Sequence, residues 1–149
     1  MRKSLQLQAE MTQEFGACVF DVTLDCEDGA PVGGEIEHAH LVKEIANNAA
    51  PEARVAVRVH PVDHPSFFND VNLILKDAHR NLRHVMIPKV ESVADVDTAA
   101  QALNQAGALT LPLHVLIESP AAVHRAFEIA AHPRVQSLSF GLMDFVSAH

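Results

Sequence analysis

The segment HVMIPKVESVADVDTAAQALNQAGALTLPLHVLIESP, residues 84–120, contains two short apolar runs on either side of a helical stretch. HVMIP at 84–88 and LHVLIE at 113–118 have the length and the β-branched content of buried strands. Between them, Ser92 followed by Asp95 is typical of a helix start, and Gly107 follows the expected helix end at about Ala106. Two strands joined by a helix predict a parallel βαβ unit.

The same alternation continues on both sides of this unit. Further strands are predicted at CVFDVTL (18–24), RVAVRV (54–59) and VQSLSF (135–140). Helices are predicted from about 5 to 15, from 33 to about 50, from about 66, and from the Ser119-Pro120 pair to about 131. No further helix is expected in LMDFVSAH, the last eight residues.

Five βα repeats predict an α/β fold with a parallel sheet in a single domain over residues 1–149. Two architectures satisfy the pattern: about five-eighths of a TIM barrel, or a five-stranded doubly wound sheet. The period of the repeats does not distinguish them.

Composition excludes several classes of protein. Lys and Arg total 11 against 19 Asp and Glu, and the net charge of -8 disfavours nucleic-acid binding and a polybasic membrane patch. No apolar run of membrane-spanning length is present, so we expect no membrane partner and a cytoplasmic location. Two cysteines cannot build a disulfide framework, and we expect reduced thiols. Asp25 and Glu27 flank Cys26 and should raise its pKa, which disfavours a catalytic thiol.

Charged side chains follow each predicted strand. In parallel α/β folds, ligands bind at the carboxyl ends of the strands. We therefore expect these side chains to surround one opening at that end of the sheet, which we call the mouth. The alternative is that these residues are charged only because loops are usually polar, without any role in a site. The residues are Asp25, Glu27, Asp28, Arg58, His60, Lys89, Glu91, Glu118 and Asp144.

Glu118 is the most informative of them, because it ends an apolar strand and precedes a capped helix. A carboxylate there must be hydrogen-bonded, paired or bound to metal. One reading is a carboxylate held by backbone amides at the helix N-terminus. The other is a ligand for Mg²⁺ or Mn²⁺, which accept carboxylate oxygens and water.

DCEDGAP, the VRV of VAVRVH, MIPKVES, LIESP and FGLMD resemble, in order and rough spacing, motifs of the citrate lyase β-subunit family. That family belongs to the wider group of HpcH/HpaI-type aldolases, and the resemblance extends from about residue 18 to the C-terminus. It implies a TIM barrel and a Mg²⁺-dependent carbon–carbon lyase that acts on an acyl-CoA or 2-oxo acid, similar to citryl-CoA or malyl-CoA lyases. Mn²⁺ would be an alternative metal.

The resemblance also implies roles for individual residues. Glu118 and Asp144 would bind the metal, and Arg58 and Glu118 would be catalytic. Arg58, Glu118, Glu27 and Asp28 would contact the substrate. Asp25 belongs to the same acidic motif, and Lys89 and Glu91 match the PKVE motif, whose role is less defined.

The chain departs from the family pattern at several points. His60 replaces the asparagine that usually follows VRV, DCED replaces DLED, and strands expected before residue 17 and after the sixth family strand are not found. We therefore expect a fragment or a truncated paralogue, and a homo-oligomer, since unpaired strand edges favour association.

Three functions remain open on this basis: the CoA-dependent lyase, a pyruvate-type aldolase without CoA, and a non-catalytic paralogue that binds metal or a partner subunit. A zinc site is disfavoured, since His60 and His64 lie in a proline-bracketed loop, and His38 and His40 are two apart on a helix.

Overall fold

A computed structural model describes residues 1–147, with the exception of the His79 side chain. The strands are β1 (Val22–Asp25), β2 (Val55–Arg58), β3 (Leu82–Ile87), β4 (Leu113–Ile117) and β5 (Val135–Phe140). The α-helices are α1 (Arg2–Phe15), α2 (Glu35–Asn47), α3 (Phe67–Asp70), α4 (Lys76–Ala78), α5 (Val93–Gln105), α6 (Pro120–His124), α7 (Ala126–Ala130) and α8 (Leu142–Ser147). A π-helical turn (Val71–Leu75) joins α3 to α4, and a 3₁₀ turn (His79–Asn81) leads into β3.

The five strands form one parallel sheet in the order β1-β2-β3-β4-β5. A doubly wound sheet reverses its strand order at a switch point, whereas the strands of a TIM barrel follow one another in sequence. The described residues contain no such reversal, so the barrel prediction is confirmed and the doubly wound alternative is wrong. The sheet is the arc of a partial barrel, and within residues 1–147 its edges are β1 and β5.

The main core lies between the sheet and the helices. Strand side chains such as Leu24, Val57 and Val115 are fully buried, and so are Phe67 and Leu103 from the helical layer. This packing explains why the strands are apolar and rich in β-branched residues.

The other face of the sheet carries polar side chains. The two ring nitrogens of His114 lie 2.6 Å and 2.8 Å from the Oγ atoms of Ser137 and Ser139, and its ring lies 5.4 Å from that of His84. Burial lowers the pKa of both histidines, which favours their neutral form. The interior of a barrel is usually filled by bulky aliphatic residues, so this face differs from the usual pattern.

Helix ends follow the predicted local signals. Asp95 Oδ2 accepts hydrogen bonds from the backbone N–H of Glu91 and Ser92, both at 2.9 Å, within the capping box of α5. Ser119 Oγ accepts the backbone N–H of Ala122 at 3.1 Å and caps α6. Both predicted helix starts are confirmed.

Three predictions about helices are corrected. Leu142–Ser147 is helical although no helix was expected there, and the Phe145 N–H donates to the Gly141 carbonyl at 3.1 Å. The helix predicted after Ser119 is divided at Arg125, whose N–H is shared between the Ala121 and Ala122 carbonyls. The helix predicted from residue 66 contains the π-helical turn, a feature that apolar spacing does not reveal.

Among the described residues, no helix has both the length and the apolar character needed to cross a bilayer.

Candidate active site

The ends of β1 and β2 lie side by side and bring Arg58 onto the acidic loop that follows β1. Asp25 pairs with Arg58 in the sheet register. Arg58 Nε and Nη2 donate to the two oxygens of Asp25, each at 2.7 Å, and Nη2 also donates to Asp28 Oδ2 at 2.8 Å. Arg58 Nη1 lies 2.9 Å from Glu27 Oε2. The DCED motif and the arginine of VRV therefore form one cluster.

These contacts occupy most of the Arg58 guanidinium. An arginine has five N–H donors, and the fork formed by Nε and Nη2 faces Asp25. Nη1 is in an ion pair with Glu27 but forms no hydrogen bond with it, so the Nη1 hydrogens are the donors left for a ligand. Asp28, whose side chain is 74% exposed, can also give up its place on Nη2. Arginine often binds a substrate carboxylate through two parallel hydrogen bonds. In this protein Arg58 forms that bidentate pair with Asp25 instead.

The pKa values of Arg58 and Asp25 are both shifted toward the charged form. The hydrogen bond to Asp25 raises the pKa of Arg58, against the opposing effect of its burial. Burial alone would raise the pKa of Asp25, but the hydrogen bond and charge of Arg58 outweigh it and hold that pKa below its usual value. Both groups are therefore charged at neutral pH.

Glu27 lies between two cations. Its side chain is 7% exposed, with Oε2 near Arg58 and Oε1 2.8 Å from Lys89 Nζ. Both oxygens are at ion-pair distance, although neither contact has the angles of a hydrogen bond. Two cations at this distance compensate the burial of the carboxylate.

Lys89 connects Glu27 to the other side of the mouth. Its backbone has a φ of 53°, which is uncommon for a residue other than glycine. The backbone N–H donates to Glu118 Oε2 at 2.8 Å, and Nζ lies 3.7 Å from Asp144 Oδ2. A single residue thus reaches Glu27, Glu118 and Asp144.

Glu118 is buried at the end of β4 with one of its oxygens on the Lys89 amide. Burial raises the pKa of Glu118, the Lys89 amide opposes this, and the charges of Asp144 and Glu27 raise it further. The amide that holds this carboxylate comes from the loop after β3, whereas Ser119 caps α6. The sequence-based alternative of a carboxylate at the N-terminus of the following helix therefore does not describe Glu118.

Gly141 makes room for the Glu118 side chain. A Cβ atom added to Gly141 would lie 2.5 Å from Glu118 Cγ and 2.8 Å from Glu118 Cδ, distances that real Cβ atoms do not adopt. Any larger residue would push the carboxylate out of position.

Glu118 and Asp144 lie on the same side of the molecule. Asp144 is in the first turn of α8, close enough to Glu118 for its charge to affect the Glu118 pKa. No group of three or more metal-binding side chains occurs within residues 1–147. Two carboxylates fit Mg²⁺, which commonly takes one or two protein carboxylates and fills its other positions with water and substrate.

Two residues predicted to face the mouth make other contacts. Glu91 makes its contacts through its backbone: its N–H donates a hydrogen bond to Asp95 Oδ2, and its carbonyl accepts one from Arg125 Nη1. His60 is buried, its ring Nδ1 lies 2.6 Å from Asp70 Oδ2, and the same oxygen accepts the His60 N–H at 3.0 Å. His60 thus holds the loop after β2.

The Cys26 thiol is buried as well. Burial raises the pKa of Cys26, and the charges of Asp70 and Asp25 add to this effect. A raised pKa was predicted for this thiol, and burial rather than the flanking carboxylates is its main cause.

Three features of the site were missed by sequence reasoning. They are the positive φ of Lys89, the contact between Gly141 and Glu118, and the buried pair of His60 and Asp70. The glycine directly after the strand VQSLSF was a usable signal, because glycine at a strand end often permits a close approach.

A protein-family model described as HpcH/HpaI aldolase/citrate lyase matches residues 5–148 of the chain. An L-malyl-CoA/beta-methylmalyl-CoA lyase of Cereibacter sphaeroides is 35% identical over 144 residues, which cover 91% of this chain and 45% of that protein. A citrate lyase subunit beta-like protein of Deinococcus radiodurans is 32% identical over 133 residues, which cover 85% of this chain and 44% of that protein.

Solved structures show the same fold. A citrate lyase from Burkholderia xenovorans LB400 superposes with a TM-score of 0.82 and 42% identity, covering 99% of this chain and 46% of that one. The citrate lyase beta subunit of Mycobacterium tuberculosis, solved with oxaloacetate and magnesium, has a TM-score of 0.66 and 24% identity, with coverages of 85% and 50%. The chain thus spans about half the length of the proteins that it matches.

Proposed function

Because the chain belongs to the HpcH/HpaI aldolase/citrate lyase family, we propose that it carries the acidic part of a Mg²⁺-dependent carbon–carbon lyase site. The substrate would be an acyl-CoA or a 2-oxo acid, and Glu118 and Asp144 would bind the metal. The curated relatives include L-malyl-CoA/beta-methylmalyl-CoA lyases, and one structural relative was solved with oxaloacetate and magnesium. These names support the class of substrate, while each of these proteins is about twice as long as the matched segment.

The observation that carries the proposal is the approach of Glu118 and Asp144 to Lys89. Glu118 is buried, and its pKa is raised partly by the charge of Asp144. Two carboxylates that repel one another gain from a shared cation. Mg²⁺ or Mn²⁺ at this point would relieve the repulsion that raises the Glu118 pKa.

The chemistry of the proposed reaction needs a site that accepts negative charge. Cleavage beside a carbonyl leaves charge on the carbonyl oxygen, and a divalent cation would supply a Lewis acid for that oxygen. Arg58 would donate from Nη1 to the same oxygen, while Asp25, Asp28 and Glu27 hold its guanidinium in place. Exposed Asp28 could exchange its contact with Arg58 for one with substrate.

The test combines metal binding with turnover. Mn²⁺ binding by calorimetry, and cleavage of malyl-CoA and citryl-CoA with Mg²⁺ or with EDTA, should be measured on the wild type, Glu118→Gln and Asp144→Asn. We expect both variants to lose metal binding and at least 100-fold of any turnover, as when other electrostatic groups are removed from active sites. Glu91→Gln is the matched control, because Glu91 acts through its backbone and should keep both properties.

The same experiment separates the two other candidates. Cleavage of a 2-oxo acid aldol without CoA would favour the pyruvate-type aldolase. Metal binding without turnover would favour a non-catalytic paralogue that binds metal or a partner subunit. Unchanged Mn²⁺ binding in Glu118→Gln and Asp144→Asn would refute the metal site.

A further inference from the structure

The mouth contains a cation of its own beside the carboxylates assigned to metal binding. We propose that Lys89 is an internal counter-cation that holds Glu27 and Asp144 together in the metal-free protein and gives up Asp144 when a divalent cation binds. Lys89 would then stabilise the metal-free protein and, for the same reason, lower the affinity of the site for metal. This inference rests on the proposed function, because it takes Glu118 and Asp144 as the metal ligands.

The positions of the three partners show which contact would yield. Lys89 Nζ lies 2.8 Å from Glu27 Oε1, and the Glu27 side chain is buried and fixed by Arg58 on its other side. The contact with Asp144 is longer, at 3.7 Å, and both side chains are about half exposed, 49% for Lys89 and 45% for Asp144. The ammonium is therefore anchored at Glu27 and held loosely at Asp144.

The charge balance gives Lys89 this role. Asp25, Glu27, Asp28, Glu118 and Asp144 face Arg58 and Lys89, so carboxylates outnumber cations. Arg58 is engaged by the three acidic residues of the loop after β1. The charge of Lys89 also acts on Glu118, where it opposes the charges of Asp144 and Glu27.

The backbone and side chain of Lys89 serve separate purposes. Its N–H donates to Glu118 Oε2 at 2.8 Å, and this contact needs no particular side chain. Its φ of 53° lies in a region that asparagine and glycine adopt more readily than lysine. The ammonium can therefore be removed by substitution while the amide that orients Glu118 remains.

The Lys89 ammonium would oppose the binding of a divalent cation between Glu118 and Asp144 in two ways. The two positive charges repel each other at short range, and both compete for the Asp144 carboxylate. Removing the ammonium should therefore tighten metal binding by about tenfold, a usual size for coupling between a ligand and a nearby group. The metal-free protein should lose stability at the same time, because Glu27 and Asp144 lose a partner.

The experiment measures Mn²⁺ affinity by calorimetry and melting temperature with and without saturating Mg²⁺. Lys89→Asn removes the ammonium and suits the positive φ, and Lys89→Gly is a second neutral variant in case the first folds poorly. Lys89→Arg keeps the charge. Lys43→Gln is the matched control, since it changes the net charge equally but removes a different ion pair, the one between Lys43 on α2 and Asp77 on α4.

We expect Lys89→Asn to bind Mn²⁺ about tenfold more tightly than the wild type and to melt lower when metal-free, with the difference disappearing in Mg²⁺. Lys89→Arg and Lys43→Gln should keep the wild-type affinity. Equal or weaker Mn²⁺ binding by the neutral Lys89 variants would overturn the inference, as would an equal gain in Lys43→Gln. A wild type that binds no Mn²⁺ would instead refute the metal site in the proposed function and this inference with it.

Discussion

At the scale of single residues, the site keeps one carboxylate, that of Glu118, in a position that costs stability. Glu118 is buried beside Asp144 and Glu27, and its pKa is raised above its ordinary value near 4.5. A carboxyl group with a raised pKa in the folded state stabilises the fold while it is protonated. That stability is present below pH 4.5 and is lost as the pH rises through the raised value. At neutral pH the metal-free protein therefore carries an unfavourable charge.

Glu118→Gln should raise the melting temperature of the metal-free protein at pH 7, because the amide is neutral and can still accept from the Lys89 N–H. The advantage should shrink toward pH 4.5, where the wild-type carboxyl group becomes protonated. Saturating Mg²⁺ should reverse the order, because binding at 100 times the Kd adds about 2.7 kcal/mol to the wild type alone. Thermal melts across pH, with and without Mg²⁺, check this. A lower melting temperature of the metal-free variant at pH 7 would show that the Glu118 charge does not oppose folding.

Gly141→Ala should displace the Glu118 carboxylate, since its Cβ would lie 2.5 Å from Glu118 Cγ. We expect a loss of about 1–3 kcal/mol in the free energy of unfolding, as in other overpacked sites. The displaced carboxylate should also weaken Mn²⁺ binding by at least about tenfold, as measured by calorimetry. That factor corresponds to a loss of about 1.4 kcal/mol in binding free energy.

Gly107→Ala is the matched control for that variant. Gly107 follows the end of α5 with a φ of 85°, and an added Cβ there would meet no atom within 4 Å. It should lose stability through backbone strain, by about 1 kcal/mol, and keep its Mn²⁺ affinity. Equal losses of affinity in the two variants would show that the effect is one of general stability.

At the scale of elements, the local signals were reliable where they involved neighbouring residues. The capping box of α5 and the Ser119 cap of α6 use donors and acceptors within four residues of one another. The helix α8 was missed, because its sequence LMDFVS lacks a start signal and leaves Leu142, Met143 and Val146 exposed. Its position matters, since α8 carries Asp144 to the mouth.

Asp95→Ala should weaken the start of α5, because Asp95 Oδ2 accepts two backbone N–H groups there. We expect a loss of about 1 kcal/mol in the free energy of unfolding, typical of a helix cap, measured by urea denaturation. Mn²⁺ affinity should not change, because the Lys89 amide and Glu118 lie outside the cap. A loss of affinity would mean that the cap also positions the loop after β3.

At the scale of the whole molecule, the sheet leaves an edge and apolar side chains open. Within residues 1–147, β5 is an edge strand, and the last helices expose Phe127 and Met143, which are 92% and 81% accessible. Exposed edges and apolar patches of this kind favour association with another chain or segment. The expected homo-oligomer therefore stays a prediction, with a surface on which it can be tested.

The 149-residue chain should self-associate in a concentration-dependent way by sedimentation velocity. The double variant Phe127→Glu/Met143→Glu should shift it toward the monomer, because charges on such a surface repel a second copy. Val32→Glu, an exposed site in the loop before α2, is the control and should not change the distribution. A wild type that remains monomeric at high concentration would refute self-association.

The sequence alone determined the βα repeats, the parallel sheet and the set of charged residues at the strand ends. It could do so because strand periodicity, helix caps and residue type are local properties. Its motifs also pointed to a family that the family model and the relatives confirm. It left the barrel and the doubly wound sheet open, since both obey the same local pattern and differ in strand order.

Only the tertiary structure decided how the charged residues are paired. Arg58 turns most of its donors toward Asp25, Asp28 and Glu27, and Lys89 joins Glu27 to Asp144 while its amide holds Glu118. These partners are about 30 to 60 residues apart in the chain, so their pairing depends on the register of neighbouring strands and on space such as that beside Gly141. Electrostatic energy depends on distance and burial, which a sequence does not specify until the chain is folded.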